Sequence, residues 1–183
     1  MLQMEQKDYK FEIMNILING ENHIRGIADK LNINHMMIVR KVNELLNSNV
    51  VDVVKEGRNQ VYSVKNSVEA RAYFLMTEQY KLVYFLKEYP FLRNIVNKIQ
   101  RDKRIKIALI FGSYAKGLVR KSSDIDIFIE GQNINIKQEY SKLDSKFAIK
   151  IGKWNKGDIL IQEIKKNHIL IKGGEKYYEK IFT

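Results

Sequence analysis

The chain has 183 residues, 45% of them hydrophobic, which suits one globular domain or two small ones and argues against a disordered chain. It carries 32 Lys and Arg against 21 Asp and Glu, a formal charge of +11, and a field of that sign draws polyanions such as nucleic acid, nucleotides or an anionic membrane surface. Cysteine is absent, which excludes disulfides, thiolate zinc sites and cysteine nucleophiles and leaves oxygen atoms or three histidines as metal ligands.

No apolar run approaches the ~20 residues that span a bilayer, so no membrane partner is expected. The opening residues, MLQMEQKDYKF, lack the charged-then-apolar order of a signal peptide, so a cytoplasmic protein is expected. Residues 8–18 place Phe11, Met14, Leu17 and Ile18 at helical spacing. Residues 23–32 form a short expected helix with Ile24, Ile27, Ala28 and Leu31 on one side. A third helix is expected from about 35 to 47, with Asn34 as N-cap and Ile38, Val42, Leu45 and Leu46 inward. The period then changes to two. Residues 50–65 read as strand, turn, strand, with Glu56, Gly57, Arg58 and Asn59 at the tip.

Three helices followed by a hairpin resemble the winged helix-turn-helix of bacterial and archaeal transcriptional regulators, and a domain over 1–66 is expected. The resemblance implies that the third helix enters the major groove of double-stranded DNA and presents His35, Met36, Val39, Arg40 and Lys41, with Arg58 on the wing reaching phosphate. Such domains also serve as protein-docking modules. Asn43, Glu44 and Asn47 continue a polar face that any solvated helix would have.

Residues 67–88 read as one long helix in a connector spanning 67–91. Val68, Ala72, Leu75, Leu82 and Leu86 make one apolar stripe, and Tyr73, Met76, Tyr80 and Val83 a second. Two stripes suit either a homodimer reading paired half-sites or packing of the helix between domains. Pro90 ends this helix, and FLRNIVNKIQRDK is a further amphipathic helix leading into a second domain over 92–183. No internal repeat is present.

The stretch LIFGSYAKGLVRKSSDIDIFIE, residues 109–130, carries the chemistry. Residues 104–111 form an apolar, buried strand, and Gly112-Ser113 follows at once, aiming backbone amides and a hydroxyl beyond the strand end, where a phosphate would fit. Gly112 permits close backbone approach and Gly117 ends the turn. In the strand that follows, Asp124 and Asp126 share a face with Cα atoms roughly 6 to 7 Å apart, while Ile125, Ile127 and Ile129 take the other. Two adjacent carboxylates repel unless a cation lies between them, and Mg²⁺ prefers a couple of carboxylates plus phosphate oxygens.

Gly112-Ser113, Ala115, Gly117 and then Ser123-Asp124-Ile125-Asp126 resemble the signature of the DNA polymerase β-like nucleotidyltransferases, above all their minimal bacterial and archaeal members. The resemblance implies an α+β architecture with a mixed sheet flanked by helices. It implies that Gly112, Ser113, Gly117 and Ser123 bind an NTP, and that Asp124 and Asp126 are the catalytic carboxylates binding Mg²⁺ (or Mn²⁺). A hydroxyl would attack the α-phosphate while pyrophosphate leaves. Minimal members act as antitoxins that modify a partner toxin, which adds a protein to the acceptors to consider.

Active members usually carry a third carboxylate on a following strand. Here that strand, residues 146–153, has no acid, and Lys150 is the expected occupant of the position. An ammonium there could stand in for the cation. Glu130 lies roughly 13 Å along its strand from Asp126, and Asp144 and Asp158 are loop alternatives. His23, His35 and His168 read as structural or solvated, Trp154 as a packing residue at a helix start, and Lys172-Gly173-Gly174 as a turn before the final helix. Two functions follow: a nucleotidyltransferase acting on a protein or nucleic acid, or a DNA-binding transcription regulator whose second domain senses nucleotide or dimerises.

Overall fold

The computed structural model describes residues 7–182. Residues 1–6, which belong to the N-terminal run read above and to the expected 1–66 domain, lie outside the described residues, as does Thr183. The chain divides into two compact units, Met1–Thr77 and Glu78–Thr183.

In the first unit, α1 (Tyr9–Ile18) opens on Asp8, whose carboxylate accepts from the Lys10 amide at 3.0 Å. A two-residue strand, β1 (Asn22–His23), leads into α2 (Ile24–Leu31). The N-cap of α2 is His23, whose Nδ1 accepts from the Gly26 amide at 2.8 Å. Asn32 closes α2 in the left-handed region, φ 51°, which asparagine tolerates. Asn34 Oδ1 then accepts from the Met36 amide at 2.8 Å and starts α3 (His35–Asn47). The hairpin β2 (Val51–Glu56) and β3 (Asn59–Val64) turns at Gly57, and β1 pairs with the free edge of β3 to give the order β1-β3-β2.

One core joins these elements, with Ile13, Met14, Leu17, Ile27, Ile38, Val42, Leu45, Val51 and Tyr62 buried. Truncating Leu45 to alanine there would cost roughly 2 to 5 kcal/mol. This is a winged helix-turn-helix. The three helices and the hairpin fall where the periodicity places them; β1 does not, because two residues carry no period, and its His23 caps a helix from outside.

The long helix α4 (Val68–Glu88) is continuous, but its apolar stripes differ from those read in the sequence. Val68 is 83% exposed, and Met76 and Val83 are about half exposed, whereas Ala70, Phe74, Thr77, Glu78, Leu82 and Phe85 are buried. The true line contains two polar residues that hydrophobicity counting skips. Thr77 donates to the Tyr73 carbonyl at 2.7 Å, and Glu78 pairs with Lys81 and His168, so both are buried with partners. The helix stops at Glu88, and Pro90 begins a 3₁₀ turn, Pro90–Leu92.

The second unit contains a mixed four-stranded sheet of β4 (Ala108–Phe111), β5 (Ile125–Glu130), β6 (Phe147–Gly152) and β7 (Ile169–Lys172), in the order β6-β5-β4-β7. β4 runs antiparallel to β5 and β7, and β5 parallel to β6. Five helices accompany it: α5 (Arg93–Arg101), α6 (Gly112–Ala115), α7 (Ile134–Ser141), α8 (Ile159–Lys166) and α9 (Gly174–Phe182). One sheet face supplies Ile110, Ile127, Ile129, Ile149 and Ile171 to a core shared with Leu82, Phe85, Ile95, Val96 and Ile99. Away from that cluster, Phe128 meets Trp154, and Trp154 meets Tyr177.

The unit is thus α+β, as its motifs imply. The first strand is shorter than its apolar run: Ile105 and Ile107 are buried but precede it. Trp154 packs as expected yet lies ahead of α8 rather than at its start, which Asp158 caps. No helix among the described residues is long and apolar enough to cross a membrane.

Candidate functional site

The sheet register builds the candidate site. Phe111, the last residue of β4, lies opposite Asp126 on β5, and the chain leaves β4 directly into Gly112. Gly112 has φ 71°, and a Cβ there would collide with Oδ2 of Asp126, so the carboxylate rests against the glycine backbone. Ser113 follows in α6, and Gly117, φ 67°, closes the turn. The Leu118 amide returns to the Ser113 carbonyl at 2.9 Å.

Asp124 stands exposed one residue before β5, and Asp126 is half-buried. Burial pushes the Asp126 carboxyl above its ordinary value; Lys150 opposes the shift, and the charges of Asp124 and Glu163 add to it. The charge of Asp124 thus acts on Asp126, which rests beside Gly112. Ser123 has a different engagement: its Oγ accepts from the Arg120 amide at 2.9 Å and ties the loop that delivers Asp124.

On β6, Ala148 is the direct neighbour of Asp126 and Lys150 that of Phe128. Lys150 sets its Nζ 5.3 Å from the centre of the Phe111 ring and carries its charge to Asp126, so a cation does occupy this side of the sheet. The acids weighed from sequence are occupied elsewhere. Glu130 pairs with Lys180 at 2.8 Å, Asp144 accepts from the Lys146 amide at 2.9 Å, and Asp158 caps α8 through the Leu160 amide at 2.8 Å.

One further acid, not singled out from sequence, adds its charge at Asp126: Glu163 on α8. Lys116, in the turn after α6, binds its Oε1 at 2.6 Å and holds its carboxyl below the ordinary value, with Lys150 adding to that effect. No spacing in IQEIKK singles it out; only the tertiary fold brings it near. Among the described residues, no three His, Asp or Glu side chains lie close enough together to hold a metal ion.

In the first unit, five of the six residues expected to meet DNA line two separate hollows, and Met36 lines neither. A groove of about 720 Å³ between α3 and the wing is lined by His35, Val39 and Arg58, together with His23, Arg25, Asn43, Gln60 and Tyr62. Arg40 and Lys41 instead line a separate depression with Lys7, Lys10 and Met37 beside the start of α1. Lys41 is further engaged by Glu44 at 2.9 Å. Met36 is 69% exposed and lines neither hollow. Asn43, set aside in the sequence as ordinary polar surface, lines the groove because it lies one helical turn from Val39.

Residues 93–176, just under half of the chain, match the family model described as Polymerase beta, Nucleotidyltransferase. The second unit thus carries a domain of that family. No curated protein matches the chain. Similar solved structures include the homodimeric winged helix-turn-helix DNA-binding domain of a possible ArsR-family transcriptional regulator from Mycobacterium bovis, at 23% identity and TM-score 0.35, covering 38% of this chain and 65% of that one. Reduced HlyU from Vibrio cholerae matches at 19% identity and TM-score 0.36, over 43% of this chain and 78% of that one. The adhesin competence repressor of Streptococcus pyogenes matches at 15% identity and TM-score 0.35, over 52% and 78%. The chain spans just under two thirds of the first of these.

Proposed function

We propose that the protein is a cytoplasmic nucleotidyltransferase that binds an NTP with a divalent cation at the Gly112–Asp126 site and transfers the nucleotide to a protein or nucleic-acid acceptor, while its winged helix binds double-stranded DNA. The observation that carries the reading is the carboxylate of Asp126 lying against Gly112, with Asp124 beside it, inside the segment that matches the nucleotidyltransferase family model.

The donor set suits Mg²⁺. Hard carboxylate oxygens of this kind accept a divalent ion readily, provided phosphates and water complete its shell. Asp124 and Asp126 would hold it, and it would neutralise charge on the triphosphate. The chain supplies the remaining functions. Gly112 lets backbone approach a phosphate, Ser113 offers a hydroxyl, Gly117 closes the turn, and the Ser123 bond to Arg120 fixes the loop that carries Asp124.

A second reading is favoured by Lys150 and by the lack of a converging third acid. In it, the second unit is a catalytically impaired nucleotide sensor or dimerisation module, and the protein is a transcription regulator. Incubating the protein with α-labelled NTPs, Mg²⁺ and cell lysate separates the two. Label appearing on protein or nucleic acid, and absent with Asp126→Asn, supports the transferase. No label, together with tight duplex binding, supports the regulator.

A further inference from the structure

Viewed down its axis, α3 has hollows on two flanks. His35, Val39 and Asn43, four residues apart, line the groove beside the wing, whereas Met37, Arg40 and Lys41 line the depression of about 300 Å³ beside the start of α1. At about 100° per residue the two sets point roughly 150° apart, on nearly opposite sides of the helix. The exposed side chains of Met36 and Asn47 form the crest between them. The depression is cationic: Lys7 and Lys10 come from the α1 end and Arg40 and Lys41 from α3, against Asp8, whose carboxylate caps α1 through the Lys10 amide. Glu44 follows Arg40 and Lys41 by one turn on the same flank. Both of its carboxylate oxygens accept from Lys41 Nζ at 2.9 Å, and that bond, joined by the charges of Lys41, Lys10 and Arg40, holds its carboxyl below the ordinary value. Exposed pairs of this kind contribute little, so a phosphate can take the lysine from the glutamate. A helix ~10–12 Å across fills a major groove about 12 Å wide, and the phosphates of one strand then border each of its flanks.

We propose that the depression between α3 and the start of α1 is a phosphate site for the DNA strand across the major groove from the wing, held by Lys7, Lys10 and Arg40, with Lys41 passing from Glu44 to a phosphodiester as the duplex docks. This rests on the duplex-DNA reading of the winged helix. It moves Arg40 and Lys41 from base reading to backbone holding and leaves the base edges to the crest and to Asn43. Glu44 becomes a built-in competitor that the duplex must displace.

The test titrates the full chain into a fluorescently labelled, mixed-sequence DNA duplex across a range of salt and reads anisotropy, for the wild type, Lys10→Gln, Arg40→Gln, Glu44→Gln and Arg58→Ala. Double-stranded RNA of the same sequence is the comparison ligand. Lys10→Gln and Arg40→Gln should each lower the slope of log K against log salt by about 1. Glu44→Gln should raise affinity for the DNA roughly two- to fivefold by freeing Lys41. Duplex RNA should bind more weakly, because its deep, narrow major groove does not admit a helix. Lys10→Gln keeps the backbone amide that Asp8 caps, so circular dichroism melts of the three depression variants should stay within about 2 °C of wild type. Wild-type slopes in Lys10→Gln and Arg40→Gln, while Arg58→Ala lowers its slope, would overturn the second phosphate site alone. RNA bound as tightly as DNA would overturn docking on both flanks of α3. Failure of the wild type to bind the DNA duplex even at low salt would remove the DNA reading itself, and this site with it.

Discussion

The carboxylate of Asp126 lies so close to Gly112 that no side chain fits at the glycine. The backbone at Gly112, φ 71°, also disfavours any other residue. Gly112→Ala should therefore both strain the turn and push Asp126 aside. We expect a loss of about 1 to 3 kcal/mol of stability and a loss of NTP binding, read by urea unfolding and by titration with labelled NTP. A variant that binds NTP as tightly as wild type would show that the close approach has no part in recognition.

Asp126 should reveal a conflict between site and fold. Burial raises its carboxyl, so ionising it at neutral pH works against folding. Asp126→Asn removes that charge without changing size. Its melting temperature at pH 7 should rise by about 1 to 3 °C, while metal-dependent binding is lost. The rise should shrink as pH falls and the wild-type carboxyl takes up its proton.

Lys150 distinguishes the two functional readings. If it merely crowds a metal site, Lys150→Met should strengthen Mn²⁺ binding several-fold, because a competing cation is gone. If it replaces the metal, the same variant should bind nucleotide more weakly in EDTA. Titrations with and without EDTA read both outcomes.

Glu78 and His168 form a buried pair, 3.1 Å apart, with Lys81 3.0 Å from Glu78. His168 Nδ1 lies 2.9 Å from the Ile164 carbonyl. Burial alone would raise the Glu78 carboxyl, but His168 and Lys81 outweigh it and hold it at about 2, below its ordinary 4.5. Because the folded value is the lower one, its contribution is full above pH 4.5 and fades as pH falls from there towards about 2. Glu78→Gln should cost about 3 to 5 kcal/mol at pH 7 by leaving Lys81 and the buried His168 without their carboxylate partner. Its stability should also change less over that acidic window, as chemical unfolding across pH can check.

The groove between α3 and the wing makes the DNA reading testable by residue. Affinity for duplex DNA should fall steeply with salt, and Arg58→Ala should lower the slope of log K against log salt by about 1. Asn43→Ala, at a position suited to a base edge, should cost roughly 1 to 3 kcal/mol on a preferred sequence and little on random DNA. A salt-independent affinity would leave protein docking as the role of the winged helix.

The sequence discloses what is local. Gly112, Asp124 and Asp126 lie within one 22-residue stretch, although β5 begins only at Ile125, so the strand position expected for both aspartates holds for Asp126 alone. The helices of the first unit announce themselves by their 3.6 period and by Asn34 as a cap. Hidden features depend on distant chain. Glu163 pairs with Lys116 from 47 residues further along the chain, Asn43 gains meaning only once the wing stands beside α3, and β1 is too short for a period. The buried line of α4 was hidden for another reason: its Thr77 and Glu78 are polar residues made acceptable by partners, one of them His168, 90 residues away.

The most direct measurement is isothermal titration of each NTP into the full chain, with Mg²⁺ and with EDTA, for wild type and for the double variant Asp124→Asn, Asp126→Asn. The wild type should bind at least one NTP in a Mg²⁺-dependent manner, and the double variant none. Equal Mg²⁺-dependent binding by both proteins would contradict that expectation.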